Sequence, residues 1–194
     1  MNLPNKISIT RICLIPLIIF LFFATFIPYG INYFACAFVF AVAAYTDALD
    51  GHIARKYNLV TTLGKFLDSI ADKLLATVSL ILLANSGLIN GILSSVILII
   101  IVCRDLIIDM LRQICASKNI IVAADWFGKI KTIVMDIALP ILFVSYGLKI
   151  CGAGIIAFNI VFYVGFILLL LATLLSLLSG INYLIKNRSV FLNN

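Results

Sequence analysis

The chain has 194 residues, of which 64% are hydrophobic and only 11% charged, with a formal net charge of +6. A water-soluble domain is about half apolar and about a quarter charged, so this composition excludes a soluble globular protein and points to the bilayer as solvent. The length allows one domain, read as residues 1–194.

About 20 apolar residues in a helix cross a hydrocarbon core of about 30 Å. Six such spans with short connections use up almost the whole sequence, which predicts an all-α integral membrane protein with six transmembrane helices. The first apolar stretch, residues 12–27, follows a short polar, interfacial start at residues 2–10. Lys6 and Arg11 before an apolar run resemble a signal peptide. No small-x-small cleavage site follows and further spans do, so the stretch reads as a retained helix. The second span covers residues 32–56 and is polar in its final third. The third covers 61–84 and is polar at its start. Asn85-Ser86-Gly87 to Asn90-Gly91 is a turn. The fourth, fifth and sixth spans cover residues 92–115, 126–148 and 154–185, with a connecting loop at 117–125 and a tight one at 149–152. The five cysteines are scattered and form no CxxC pair, so they read as apolar filler in helices.

All but one of the fourteen Lys and Arg residues fall at one membrane face, Lys149 being the exception. Positive charge stays on the cytoplasmic side, so both termini are expected there. The basic residues lie at membrane depth and at helix ends. That disfavours nucleic acid and suits membrane lipids or anionic substrates.

All eight acidic residues are aspartate. Asp47 and Asp50 are spaced i,i+3, and Asp68 and Asp72 i,i+4, so each pair lies on one face of its helix. If the two helices run antiparallel across a turn around Asn58, four carboxylates converge at the basic side. Like charges that close require protonation or a bound cation. Oxygen-only ligands suit hard divalent metals, and paired metals typically serve phosphoryl chemistry. Gly51 and Gly64 let another group approach the backbone closely. Arg55 offers a fork that fits a phosphate, and Thr61 or Thr62 adds a hydroxyl. Intramembrane charge is costly enough that four aspartates at one depth read as a functional site.

The stretch from Asp47 to Asp72 matches D-x2-D-G-x2-A-R-x8-G-x3-D-x3-D at every fixed position. It resembles the signature of the CDP-alcohol phosphatidyltransferase family, and Pro4, Asn5, Ile7 and Ser8 resemble the P-N-x-I-T that opens many members. The resemblance implies a six-helix membrane fold, usually a homodimer, acting on a CDP-activated lipid such as CDP-diacylglycerol. It implies that Asp47, Asp50, Asp68 and Asp72 hold two metal ions, Mg2+ or Mn2+, with Asp72 also the general base. CDP is expected at Asn5, Asp50, Gly51, Arg55, Thr61 and Gly64.

Downstream polar residues have to read the acceptor alcohol. Arg104 and Arg112 are eight apart and share a helix face; Asp105 and Asp109 share a neighbouring one. Lys129 and Lys131 lie near the cytoplasmic end of the fifth span. Four such cations fit an acceptor with its own phosphate. The N-terminal stretch, the R-D-x6-R region and W-F-G-K-I-K-T are most similar to bacterial members that use glycerol 3-phosphate, which implies a multi-pass protein of the bacterial cell membrane with its site facing the cytoplasm. Ser69 departs from the pattern, many such members having proline there. Members that make cardiolipin from phosphatidylglycerol or use inositol phosphate, and a cation transporter outside the family, are the alternatives. His52 reads as a surface residue, Asp125 as a helix cap, and Asp136 has no assignment.

Overall fold

The computed structural model describes residues 3–24, 26–56, 62–117 and 126–186. Among the described residues the long regular elements are six helices: α1 (Leu3–Phe23), α2 (Ile31–Lys56), α3 (Thr62–Asn85), α4 (Gly91–Ser117), α5 (Trp126–Cys151) and α6 (Ile155–Lys186), with one 3-10 turn at Pro28–Gly30. From α2 onward the helices start and stop within a few residues of where the apolar runs and Gly/Asn turns put them. One difference is instructive. The polar stretch at residues 2–10 reads from sequence as a separate interfacial start, but from Leu3 onward it is the first part of α1 itself. Ser8 within it and Arg11 just after it are buried. Likewise α5 runs on through Lys149 to Cys151, and the chain turns at Gly152.

The turns are closed by local polar groups. Asn32, at the start of α2, is buried and donates its side-chain amide to the carbonyls of Leu21 (3.1 Å) and Phe22 (3.4 Å), satisfying the open end of α1. Asn90 Oδ1 accepts from the backbone N–H of Ile92 at 3.1 Å and caps α4. Gly30 has φ +68°, and a Cβ there would meet the Gly147 carbonyl at 3.0 Å, so only glycine fits the turn between α1 and α2.

α5 and α6 make the most extensive helix contact, α1 packs on α2 and α3, and α2 packs on α5. Phe22, Phe40, Leu139, Leu142, Phe143 and Leu169 fill the core between them. At the end where α1 gives way to α2, the rings of Phe22, Tyr33 and Tyr146 pack at 4.5–6.0 Å between centroids. The outside is apolar: Phe20, Phe38, Ile92, Ile155, Tyr163 and Leu174 are all exposed. That surface belongs in lipid, and the chain is a membrane protein. α4, α5 and α6 are each long and apolar enough to cross a bilayer, whereas α1 and α2 have shorter apolar stretches at Ser8–Phe23 and Ile31–Asp47. α3 is polar in its first half, because α2 and α3 devote their facing ends to the aspartate motif.

Candidate functional site

Three helices bring the described motif carboxylates together. α2 carries Asp47 near its C-terminal end, α3 carries Asp68 and Asp72 in its first half, and α1 inserts Arg11 between them. The Arg11 guanidinium pairs with Asp47 and lies 3.2 Å from an Asp68 oxygen. Arg11 is only 1% exposed, while its two carboxylate partners are partly open. A sequence separation of 36 and 57 residues is thereby closed by one side chain. Read from sequence, Arg11 is merely one of the positive charges that orient the chain. Its inward position could have been suspected from a charge placed within the apolar face of a helix, since such a charge needs a partner.

Asp50, Gly51 and Arg55 lie in the last turns of α2 and Asn5 in the first turns of α1, but their side-chain surroundings are outside the described residues, as are those of His52. Thr61 and Asp125 fall outside the described residues altogether. Gly64 stands in the first turn of α3. Among the described residues no three acidic, histidine or cysteine side chains gather closely enough to enclose a metal ion. The donor chemistry nevertheless suits a hard divalent cation, being carboxylate oxygen alone. Asp47 and Asp68 also already share a positive charge between them, supplied by Arg11.

Beside this cluster lies a cavity of about 260 Å³. Asp72 and Lys73 of α3 form one wall. Arg104 and Arg112 of α4, with Lys129 and Lys131 of α5, form others, so one space gathers all four basic residues singled out for the acceptor. Ser69 also lines it. Five basic and three acidic side chains face the cavity, an excess of two positive charges.

The acidic residues among them hold the bases in place. Asp105 takes Arg104 Nη1 at 2.9 Å on one oxygen and Lys131 Nζ at 2.7 Å on the other. Lys131 is nearly fully buried, so this pairing offsets the cost of its desolvation. Lys73 is paired with Asp109, tying α3 to α4. Arg104 Nη2 donates to Ser179 of α6. The Arg112 guanidinium lies 5.9 Å from the centroid of the Tyr183 ring, and Tyr183 closes the cavity from α6. Asp105, Asp109 and Ser179 have no role assigned by spacing alone, because their partners lie 26 to 75 residues away or on a face that sequence does not orient. Asp136 lies on the α5 face that carries Thr132.

Comparison with known proteins adds to this geometry. Residues 1–178 match the family model described as CDP-alcohol phosphatidyltransferase. A protein of Rickettsia typhi named CDP-diacylglycerol–glycerol-3-phosphate 3-phosphatidyltransferase is 38% identical over 182 residues, covering 94% of each chain. Proteins of the same name from Bacillus subtilis (40% over 152 residues, 73% of this chain and 76% of the relative) and Shigella flexneri (32% over 194 residues, 99% and 98%) are also similar.

Proposed function

Because the chain belongs to the CDP-alcohol phosphatidyltransferase family, we propose that it transfers the phosphatidyl group of CDP-diacylglycerol to sn-glycerol 3-phosphate, giving phosphatidylglycerophosphate and CMP. The observation that carries the choice of acceptor is the cavity beside Asp72, where five basic and three acidic side chains face one space with an excess of two positive charges. A phosphate monoester dianion matches that excess; an acceptor without a free phosphate monoester does not. The names borne by the relatives agree with this reading.

In this reading Asp47, Asp50, Asp68 and Asp72 hold the metal site. Two Mg2+ or Mn2+ ions bound there supply charge neutralisation for the pyrophosphate. Asn5, Asp50, Gly51, Arg55, Thr61 and Gly64 grip the CDP moiety, the glycines by allowing its close approach to the backbone. Arg104, Arg112, Lys129 and Lys131 bind the acceptor's phosphate and present its hydroxyl to Asp72. The Asp72 carboxylate takes the hydroxyl proton. The acceptor oxygen then forms a bond to the phosphorus that bears diacylglycerol. The bond from that phosphorus to the bridging oxygen breaks, and CMP leaves with the electron pair. Orienting the two reactants in one cavity supplies much of the rate.

The chain is one membrane domain of six spans in a bacterial cell membrane, working as a homodimer with both termini and the site at the cytoplasmic face. The distribution of basic residues supports that orientation.

One assay tests the reading. Purified protein with CDP-diacylglycerol and Mg2+ or Mn2+ is offered glycerol 3-phosphate, inositol phosphate and phosphatidylglycerol separately, and CMP release is followed. Release with glycerol 3-phosphate is expected; release only with phosphatidylglycerol or only with inositol phosphate overturns the acceptor. Metal flux into liposomes without CMP release overturns the reaction class.

A further inference from the structure

Arg104 reaches the cavity through a slot between α5 and α6. A Cβ on Gly180 would meet Arg104 Cγ at 3.2 Å. A Cβ on Gly128 would meet Arg104 Nη2 at 3.2 Å and Ser179 Oγ at 3.4 Å. The two Arg104 approaches are tighter than side chains ordinarily make, so one glycine clears the stem of the arginine and the other clears its head. Beyond them Ser179, fully buried, accepts a hydrogen bond from Nη2. On the other side Asp105 accepts from Nη1 at 2.9 Å and, with its second oxygen, from Lys131 at 2.7 Å. Ser179 and Gly180 are not among the residues that line the cavity, and both adjoin Arg104, which is.

We infer that Ser179, Gly180, Gly128 and Asp105 are positioning residues for acceptor recognition: they fix the Arg104 guanidinium and, through Asp105, the Lys131 ammonium as one preset cationic pair for a phosphate. The inference rests on the proposed phosphate-bearing acceptor and deepens it. A loose arginine has to surrender rotamer freedom each time it binds an anion, and an arginine already held in place does not. The arrangement also separates roles. Asp105 neutralises one charge of the pair while fixing both, and Ser179 adds orientation without charge.

Initial-rate kinetics on purified wild type, Ser179→Ala and Asp105→Asn test this, with glycerol 3-phosphate and CDP-diacylglycerol varied in turn. Loss of a hydrogen bond to a charged group predicts an acceptor KM about tenfold higher in Ser179→Ala. In the same variant kcat and the KM for CDP-diacylglycerol stay within about twofold of wild type. In an Arg104→Lys background, adding Ser179→Ala moves the acceptor KM no further, because the two act as one unit. Should Ser179→Ala fail to accumulate, the near-isosteric Asp105→Asn carries the same expectation. An unchanged acceptor KM, a parallel rise in both KM values, or full additivity with Arg104→Lys overturns the inference while leaving the acceptor intact. A wild-type enzyme that uses glycerol as well as glycerol 3-phosphate overturns the acceptor reading and the inference with it.

Discussion

At the scale of single residues, the site is organised by side chains that carry charge into places where charge is expensive. Arg11 is buried between Asp47 and Asp68, and removing it would take away the cation that the two carboxylates share. Asp72 stands apart from that pairing. It lines the cavity that the basic residues share. Under the proposed role of Asp72 as base, Asp72→Asn keeps the shape and removes the proton acceptor. Turnover is therefore expected to fall by about 10²–10⁴, while binding of CDP-diacylglycerol, measured by its protection of the protein against thermal unfolding, is retained. Near-normal CMP release from this variant would remove Asp72 from the role of base. The motif that named these aspartates was legible because i,i+3 and i,i+4 spacing is a property of the helix alone. What holds them was not. The contacts of Arg11 with Asp47 and Asp68 and of Arg104 with Ser179 span 36, 57 and 75 residues, and only the packing of whole helices sets them.

At the scale of elements, the seam between α5 and α6 decides where the cavity wall stands. Gly165 of α6 sits so close to α5 that an added Cβ would meet Ile141 Cγ2 and Leu142 Cγ at 3.0 Å. Without an oil-water difference to drive them together, membrane helices depend on such close backbone approach. Gly165→Ala should therefore destabilise by about 1–3 kcal/mol, as overpacking does elsewhere. Gly154→Ala, with open space around it, serves as the control. Equal unfolding temperatures for the two variants in detergent would show that the seam yields. Helix boundaries here were readable from sequence, since apolar runs end where Asn and Gly collect. The first turns of α1 were not, because a polar stretch looks like an interfacial lead-in until its buried Ser8 and Arg11 are seen to face other helices.

At the scale of the whole molecule, the bundle is polar at one end and aromatic at the other. Lys131, which lines the cavity, and Cys151, the last residue of α5, are about 30 Å apart at 1.5 Å per residue, which is the thickness of a hydrocarbon core. With the cavity at the cytoplasmic face, the exposed Cys151 faces outward. In a variant retaining that cysteine alone, a membrane-impermeant maleimide should label intact cells. Labelling only after the cells are opened would reverse the proposed orientation.

The carboxylates that Arg11 draws together belong to the first half of the chain, and the cation-rich wall belongs almost entirely to the second. Asp72 and Lys73 of α3 are where the two halves meet. In the proposed reading, donor chemistry and acceptor choice are written in separate stretches of one gene. On that reading a lineage changes the alcohol it accepts by rewriting α4 to α6 alone, and exchange of that segment with the aspartate motif left untouched is the engineering counterpart.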